Sequence, residues 1–131
     1  TLLRRSDILT LHAPSIESTK HVIDKQRIGQ MKPGAYLVNC ARGALVDENA
    51  LAEALLAARL AGAALDVLEG EPPDPTSPLY EVSNVIITPH MAGSTVECLH
   101  EIAKVASEDI VRVLTGSKPI NSMNNPKASG V

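Results

Sequence analysis

Arg42, Glu71 and His90 lie in three separated segments: Asn39-Cys40-Ala41-Arg42-Gly43, Asp66-Val67-Leu68-Glu69-Gly70-Glu71-Pro72 and Thr88-Pro89-His90-Met91-Ala92-Gly93. A guanidinium offers a planar fork of donors that suits a carboxylate. An imidazole, with an unperturbed pKa of about 6.5, gives and takes a proton near neutrality. A carboxylate beside it orients the ring and favours its charged form. Each residue has a plainer reading when taken singly. Arg42 could cap a helix or pair with Asp47, His90 could be an ordinary loop histidine, and Asp66 could cap a turn. Glu69 competes with Glu71 for the acidic role, and the proline after Glu71 favours the latter. The common feature is position, because all three segments directly follow apolar, strand-like runs. In an open parallel sheet, ligands bind beyond the carboxyl ends of the strands, where loops and helix N-termini converge. The three segments therefore point to one active site.

The elements that must position these groups are legible in outline. Ile8-Leu9-Thr10-Leu11 stops at His12-Ala13-Pro14, where proline ends strand pairing. Ala35 to Val38 follows the turn signal Lys32-Pro33-Gly34, Ala63 to Leu65 follows Gly62, and Val85 to Thr88 is bracketed by Asn84 and Pro89. None alternates cleanly between apolar and polar, which predicts parallel strands buried on both faces. Asp47 is the expected N-cap of a helix from Glu48 to Leu60, with Leu51, Ala54, Leu55 and Ala58 on one face and Gly62 just past its end. Asp24 would cap a shorter helix through Met31. Ser94-Thr95-Val96-Glu97 reads as a capping box opening a helix to about Leu114, whose apolar face is Leu99, Ile102, Ala103, Ala106, Ile110 and Val113. Strands separated by helices imply right-handed crossovers.

With 131 residues, 44% hydrophobic content and a net charge of -3, the composition is that of one globular core and gives no sign of disorder or of a nucleic-acid surface. No apolar run is long enough for a bilayer, and the first residues lack a signal peptide's apolar centre, so a cytoplasmic setting without a membrane partner is expected. Cys40 and Cys98 show no CxxC spacing and read as reduced, small core residues. His21 and His100 read as surface residues, since no second metal ligand stands at helical spacing; no metal site is expected. Residues 117–131 read as a return segment or tail after a domain ending near Gly116. The chain has neither GxGxxG nor a strand ending in the acid that would hold an adenosine ribose, both of which a complete dinucleotide-binding domain needs.

Several stretches together resemble one family. Met31 to Gly43 followed by Val46-Asp47 and Ala50-Leu51, Gly62-Ala63-Ala64-Leu65-Asp66-Val67 with Glu71-Pro72, and Asn84 to His90 with Gly93 and Thr95 are similar to the D-isomer-specific 2-hydroxyacid dehydrogenases. Asp7 to Pro14 and Thr19 fit as well, so the likeness runs from about Ser6 to Asn125. It implies an α/β fold, a partial doubly wound parallel sheet forming the second half of a Rossmann-type NAD-binding domain, with the GxGxxG half and the substrate domain absent. Residues around Pro119-Ile120-Asn121 and Asn125-Pro126 would lead back toward that substrate domain.

The resemblance also implies roles. Arg42 would bind the substrate carboxylate and carbonyl oxygen, His90 would be the general acid and base, and Glu71 would be its carboxylate partner. Cys40, Ala41 and Arg42 would pass the nicotinamide-ribose side of NAD, and Asp66 would contact the carboxamide. His90, Ala92 and Gly93 would line the nicotinamide, with His12, Ala13 and Pro14 near the ribose and phosphate. NAD is the family's usual cofactor, with NADP open beside it. The implied reaction is hydride transfer between nicotinamide and C2 of a 2-hydroxy or 2-oxo acid of phosphoglycerate, glycerate or lactate type, with the chain read as a fragment of such an enzyme that is not expected to act alone. Formate dehydrogenases, which are similar, carry glutamine where Glu71 stands. A homodimer is expected of the full-length protein. The other classes are a dinucleotide-sensing, corepressor-like interaction protein and a truncated fragment inactive alone, whose bare sheet edge would promote self-association.

Overall fold

The computed structural model describes residues 2–122. Two compact units divide between Ala92 and Gly93, earlier than the boundary near Gly116 read from the sequence.

The first unit opens with α1 (Leu2–Arg5), followed by β1 (Ile8–Leu11), α2 (Lys25–Gln30), β2 (Ala35–Asn39), α3 (Glu48–Leu56), β3 (Leu60–Leu65) and β4 (Val85–Ile87). The four strands form one sheet in the order β1-β2-β3-β4, and every pairing is parallel, as expected. In-register pairs such as Leu11↔Asn39, Asn39↔Leu65 and Leu65↔Ile87 align the carboxyl ends. The loops after all four strands thus leave from one edge.

The expectation of strands buried on both faces does not hold among the described residues. Burial alternates along β1 and β2. Leu9, Leu11, Leu37 and Leu65 point into a cluster with Ile28, Leu51, Leu55 and Leu79, while Ile8, Tyr36 and Ile86 on the other side are at least half exposed. Apart from Thr10, the outward positions of β1 and β2 carry apolar or aromatic residues, which hid this alternation. Leu51 is fully buried at the centre of the α3 contact. Truncating it to alanine should lower stability by about 2–5 kcal/mol, read from the urea midpoint, because the surroundings only partly collapse onto the space left.

Helix ends follow local chemistry. Asp24 and Asp47 accept the amide hydrogens of Arg27 and Ala50, at 2.8 and 3.0 Å, as N-caps. α3 ends well before the expected Leu60. Ala58 takes a left-handed conformation (φ 51°), and the Arg59 N–H bonds back to Ala54 O at 2.8 Å, which closes the helix without glycine. Gly62 is a strand residue instead. A Cβ there would meet Asn84 O at 3.0 Å and the Tyr36 ring, so it permits close strand packing rather than ending a helix. Cys40 is exposed and Cys98 half-buried, against their reading as core residues. Strand alternation turns Asn39 inward and leaves Cys40 outside.

The second unit contains α4 (Val96–Leu114). Its N-cap is Thr95, whose hydroxyl accepts the Cys98 N–H at 3.2 Å, rather than Ser94. The helix has no buried residue, and Leu99, Ile102, Ile110 and Val113 are more than half exposed. Asp109 accepts the N–H groups of Ile120 and Asn121, both at 2.8 Å, which holds the following segment against the helix and its own carboxyl below the usual range. Asn125 and Pro126 lie outside the described residues.

Candidate active site

β2 ends on Asn39, an amide 1% exposed that organises the next turn. Its Nδ2 donates to Arg42 O at 2.9 Å and its Oδ1 accepts the Ala41 N–H at 3.0 Å, so one side chain fixes the backbone on both sides of Cys40 and Ala41. Arg42 is exposed, with Nη1 donating to Ala41 O at 2.6 Å. It makes no ion pair with Asp47 among the described residues; Asp47 is occupied as a cap.

The next residue brings the second segment in. A Cβ on Gly43 would lie 1.9 Å from Leu68 O and 2.5 Å from Glu69 N, so only glycine lets these backbones touch. The Asp66 N–H, at the end of β3, donates to Asn39 O at 2.9 Å and continues the ladder up to the loop.

Asp66 ties the second segment to the third. One carboxylate oxygen accepts the Thr88 hydroxyl at 2.5 Å and the Met91 N–H at 2.9 Å, and the other accepts the Ala92 N–H at 2.8 Å. These bonds, the Thr88 hydroxyl foremost and then the two amides, hold its carboxyl below the usual range. The gripped amides directly follow His90, whose backbone is left-handed at φ 52°. Histidine tolerates this region better than most residues but does not favour it. The turn is completed by His90 N–H to Thr88 O at 3.0 Å.

So held, His90 places Nδ1 2.8 Å from Glu71 Oε2. This hydrogen bond is the leading reason that the Glu71 carboxyl is depressed. Both side chains stay about half exposed, open to a reactant. A cavity of about 280 Å³ is lined by Arg42, Glu71 and His90 together with Ser15, Gly43 and Glu69. A second, of about 380 Å³, adjoins the same Glu71 and His90 and is walled by Tyr80, Thr88, Pro89 and Asp66.

The loop after β1 reaches the first cavity through Ser15. Thr19 shapes it, donating its hydroxyl to Pro14 O at 2.7 Å and accepting the Ile16 N–H at 2.9 Å. His12 Nε2 lies 3.0 Å from the Thr10 hydroxyl, Pro14 is exposed, and Ala13 packs on the core. Gly93 opens the second unit. Among the described residues, no group of three metal-binding side chains forms, and no helix is long and apolar enough to cross a membrane.

Depressed carboxyl groups make stability depend on acid. The contributions of Asp66 and Glu71 are complete above the ordinary carboxylate values, near about 4, and are lost as pH falls through their lowered values. The melting temperature should hold steady down to about pH 5 and then fall. Asp66→Asn should flatten that fall, as followed by circular dichroism melts across pH.

Residues 1–92 match the family described as D-isomer specific 2-hydroxyacid dehydrogenase, NAD binding domain. The chain belongs to this family. It is 44% identical over 91% of its length to a glyoxylate reductase of Thermofilum pendens, and 45% identical over 96% to a D-3-phosphoglycerate dehydrogenase of Archaeoglobus fulgidus. It spans 35% and 24% of those two relatives. The crystal structure of a D-isomer specific 2-hydroxyacid dehydrogenase from Lactobacillus delbrueckii ssp. bulgaricus, in its NAD-complexed form, superposes with a TM-score of 0.83 at 35% identity, over 94% of this chain and 42% of that one.

Within this dehydrogenase domain, the two acids Glu69 and Glu71, of which the sequence favoured Glu71, meet different partners. Glu71 meets His90, whereas Glu69 pairs with His21. The second contact was not foreseen, because its partners are far apart in sequence and carry no motif. Thr88 as a partner of Asp66 was also missed. Asn39 had a usable signal, an Asn at a strand end before a turn.

Proposed function

We propose that this chain carries the Arg42, Glu71 and His90 set of an NAD-dependent D-2-hydroxyacid dehydrogenase, which passes hydride between the nicotinamide and C2 of a 2-hydroxy or 2-oxo acid. The observation that carries the reading is the 2.8 Å contact between His90 Nδ1 and Glu71 on the wall of the cavity that Arg42 also lines. With Nδ1 engaged by the carboxylate, Nε2 is the nitrogen that faces a reactant and supplies the proton as a carbonyl becomes an alkoxide. Arg42 meets the substrate carboxylate with two parallel bonds and draws charge toward the carbonyl oxygen. When bound, NAD would supply the hydride. Cys40, Ala41, Asp66, Ala92 and the His12 to Pro14 loop would face it, and NADP is the alternative cofactor. The substrate is a small 2-hydroxy or 2-oxo acid, glyoxylate and phosphoglycerate-type acids being supported by the relatives. A homodimeric, cytoplasmic protein is part of the same proposal. No observation specifically favours a corepressor-like role.

The test is NADH titrated into the chain by calorimetry, followed by loss of NADH absorbance on adding glyoxylate to a protein in which this chain is joined to a glycine-rich half-domain and a substrate domain. His90→Gln should cut the turnover by roughly 10²–10⁴-fold, the usual contribution of a general acid. Arg42→Lys should raise KM and lower kcat together, because an ammonium keeps the charge but loses the fork. Unchanged rates in both variants would refute these roles.

A further inference from the structure

His21 sits outside the proposed catalytic set, yet it touches two of the three segments that form it. Its N–H donates to Ala44 O at 2.8 Å, in the turn directly after Arg42-Gly43, and Ile23 N–H continues to Leu45 O at 2.9 Å. Its ring Nε2 meets Glu69 Oε1, two residues before Glu71. Glu69 is held a second time, through its N–H to Glu48 Oε1 at 2.5 Å at the start of α3. His21 has a left-handed backbone, φ 48°, which aims the ring across to Glu69. We propose that His21, acting through Glu69, is a positioning residue that holds the Glu71 loop against the Arg42 segment and so sets the distance between the cation and the His90–Glu71 pair. The physical need is plain. Gly70 to Thr76 is exposed, and beyond its bond to His90 and a weaker backbone contact from Leu68 the Glu71 carboxylate has no hold on the sheet among the described residues. The proposal rests on the dehydrogenase reading for its purpose but not for its test.

That test compares His21→Asn, Glu69→Ala and Glu69→Gln in the 131-residue chain. Asparagine accepts the left-handed backbone but is too short to hold Glu69, so backbone strain does not enter. The groups facing Glu71 are His90, Asp66, Arg42 and Glu69. Removing the Glu69 charge, with geometry intact, can only make Glu71 easier to ionise, whereas a loosened loop parts Glu71 from His90 and moves its titration midpoint upward. The two effects have opposite signs. By carboxyl-detected NMR the Glu71 midpoint should rise in Glu69→Ala and His21→Asn, and stay or fall in Glu69→Gln, whose amide oxygen still accepts. In His21→Asn, exchange of the Glu69 N–H should quicken about fivefold or more, the worth of one hydrogen bond, while the Leu51 N–H in α3 keeps its rate. An unmoved Glu71 midpoint in Glu69→Ala, or equal acceleration at Leu51, would overturn the proposal. Neither readout needs cofactor or turnover, so a failure of NADH-dependent reduction would be seen separately.

Discussion

Asp66→Ala is expected to uncouple the His90 turn from the sheet and, in the dehydrogenase proposed above, to lower 2-oxo-acid reduction on the order of 10²-fold, the scale of a misplacement near 1 Å at a reacting group. In the folded chain Asp66 is 5% exposed and accepts three hydrogen bonds, from Thr88, Met91 and Ala92. Alanine leaves the Met91 and Ala92 amides without an acceptor while the backbone of His90 is still asked to hold φ 52°. The turn will relax toward an ordinary conformation, and the His90 ring will leave Glu71. Asp66→Asn is no rescue, because one side of its amide would set N–H against the N–H of Ala92. Asparagine retains only the bonds to its remaining oxygen. Turnover assays, with amide exchange at Met91 and Ala92, check this. Wild-type exchange at both amides in Asp66→Ala would show that the turn stands without the carboxylate.

Gly43→Ala is expected to be the most damaging glycine-to-alanine change among the described residues, costing about 3 kcal/mol or more. The added carbon would sit 1.9 Å from Leu68 O and 2.0 Å from Leu68 C, both backbone atoms with no rotamer to swing aside. Relief requires parting the turn after Arg42 from the loop that leads to Glu71. The same methyl thus strikes stability and site geometry together. Against a total of about 5–15 kcal/mol for a domain, such a loss should be visible as a large shift in the urea midpoint. By contrast, Gly93→Ala meets open space and should leave the midpoint almost unmoved. Equal midpoints for the two variants would mean that the close contact yields easily.

Much of this was legible before any coordinates. Parallel strands were read from apolar runs bounded by Gly, Pro and Asn, and the caps Asp24 and Asp47 from side chains that bond locally to backbone within three residues. Short-range chemistry of that kind is written in sequence order. The end of α3 was misread because Gly62 offered the obvious stop. The helix instead closes on Ala58 and Arg59, where β3 must begin early enough to reach register with β2. Burial on both faces was misread because Ile8, Tyr36 and Ile86 are as apolar as the residues that point inward.

By itself the sequence singled out Arg42, Glu71 and His90 as candidates and placed them after strands of one parallel sheet, because residue type and the local pattern of strands and turns do not depend on distant partners. Only the tertiary structure decided which acid meets which histidine, that Asp66 grips the His90 turn, and that Gly43 lies against Leu68. Each of those contacts joins segments many residues apart, and its geometry exists only once the strands have set their register and brought the loops to a common edge.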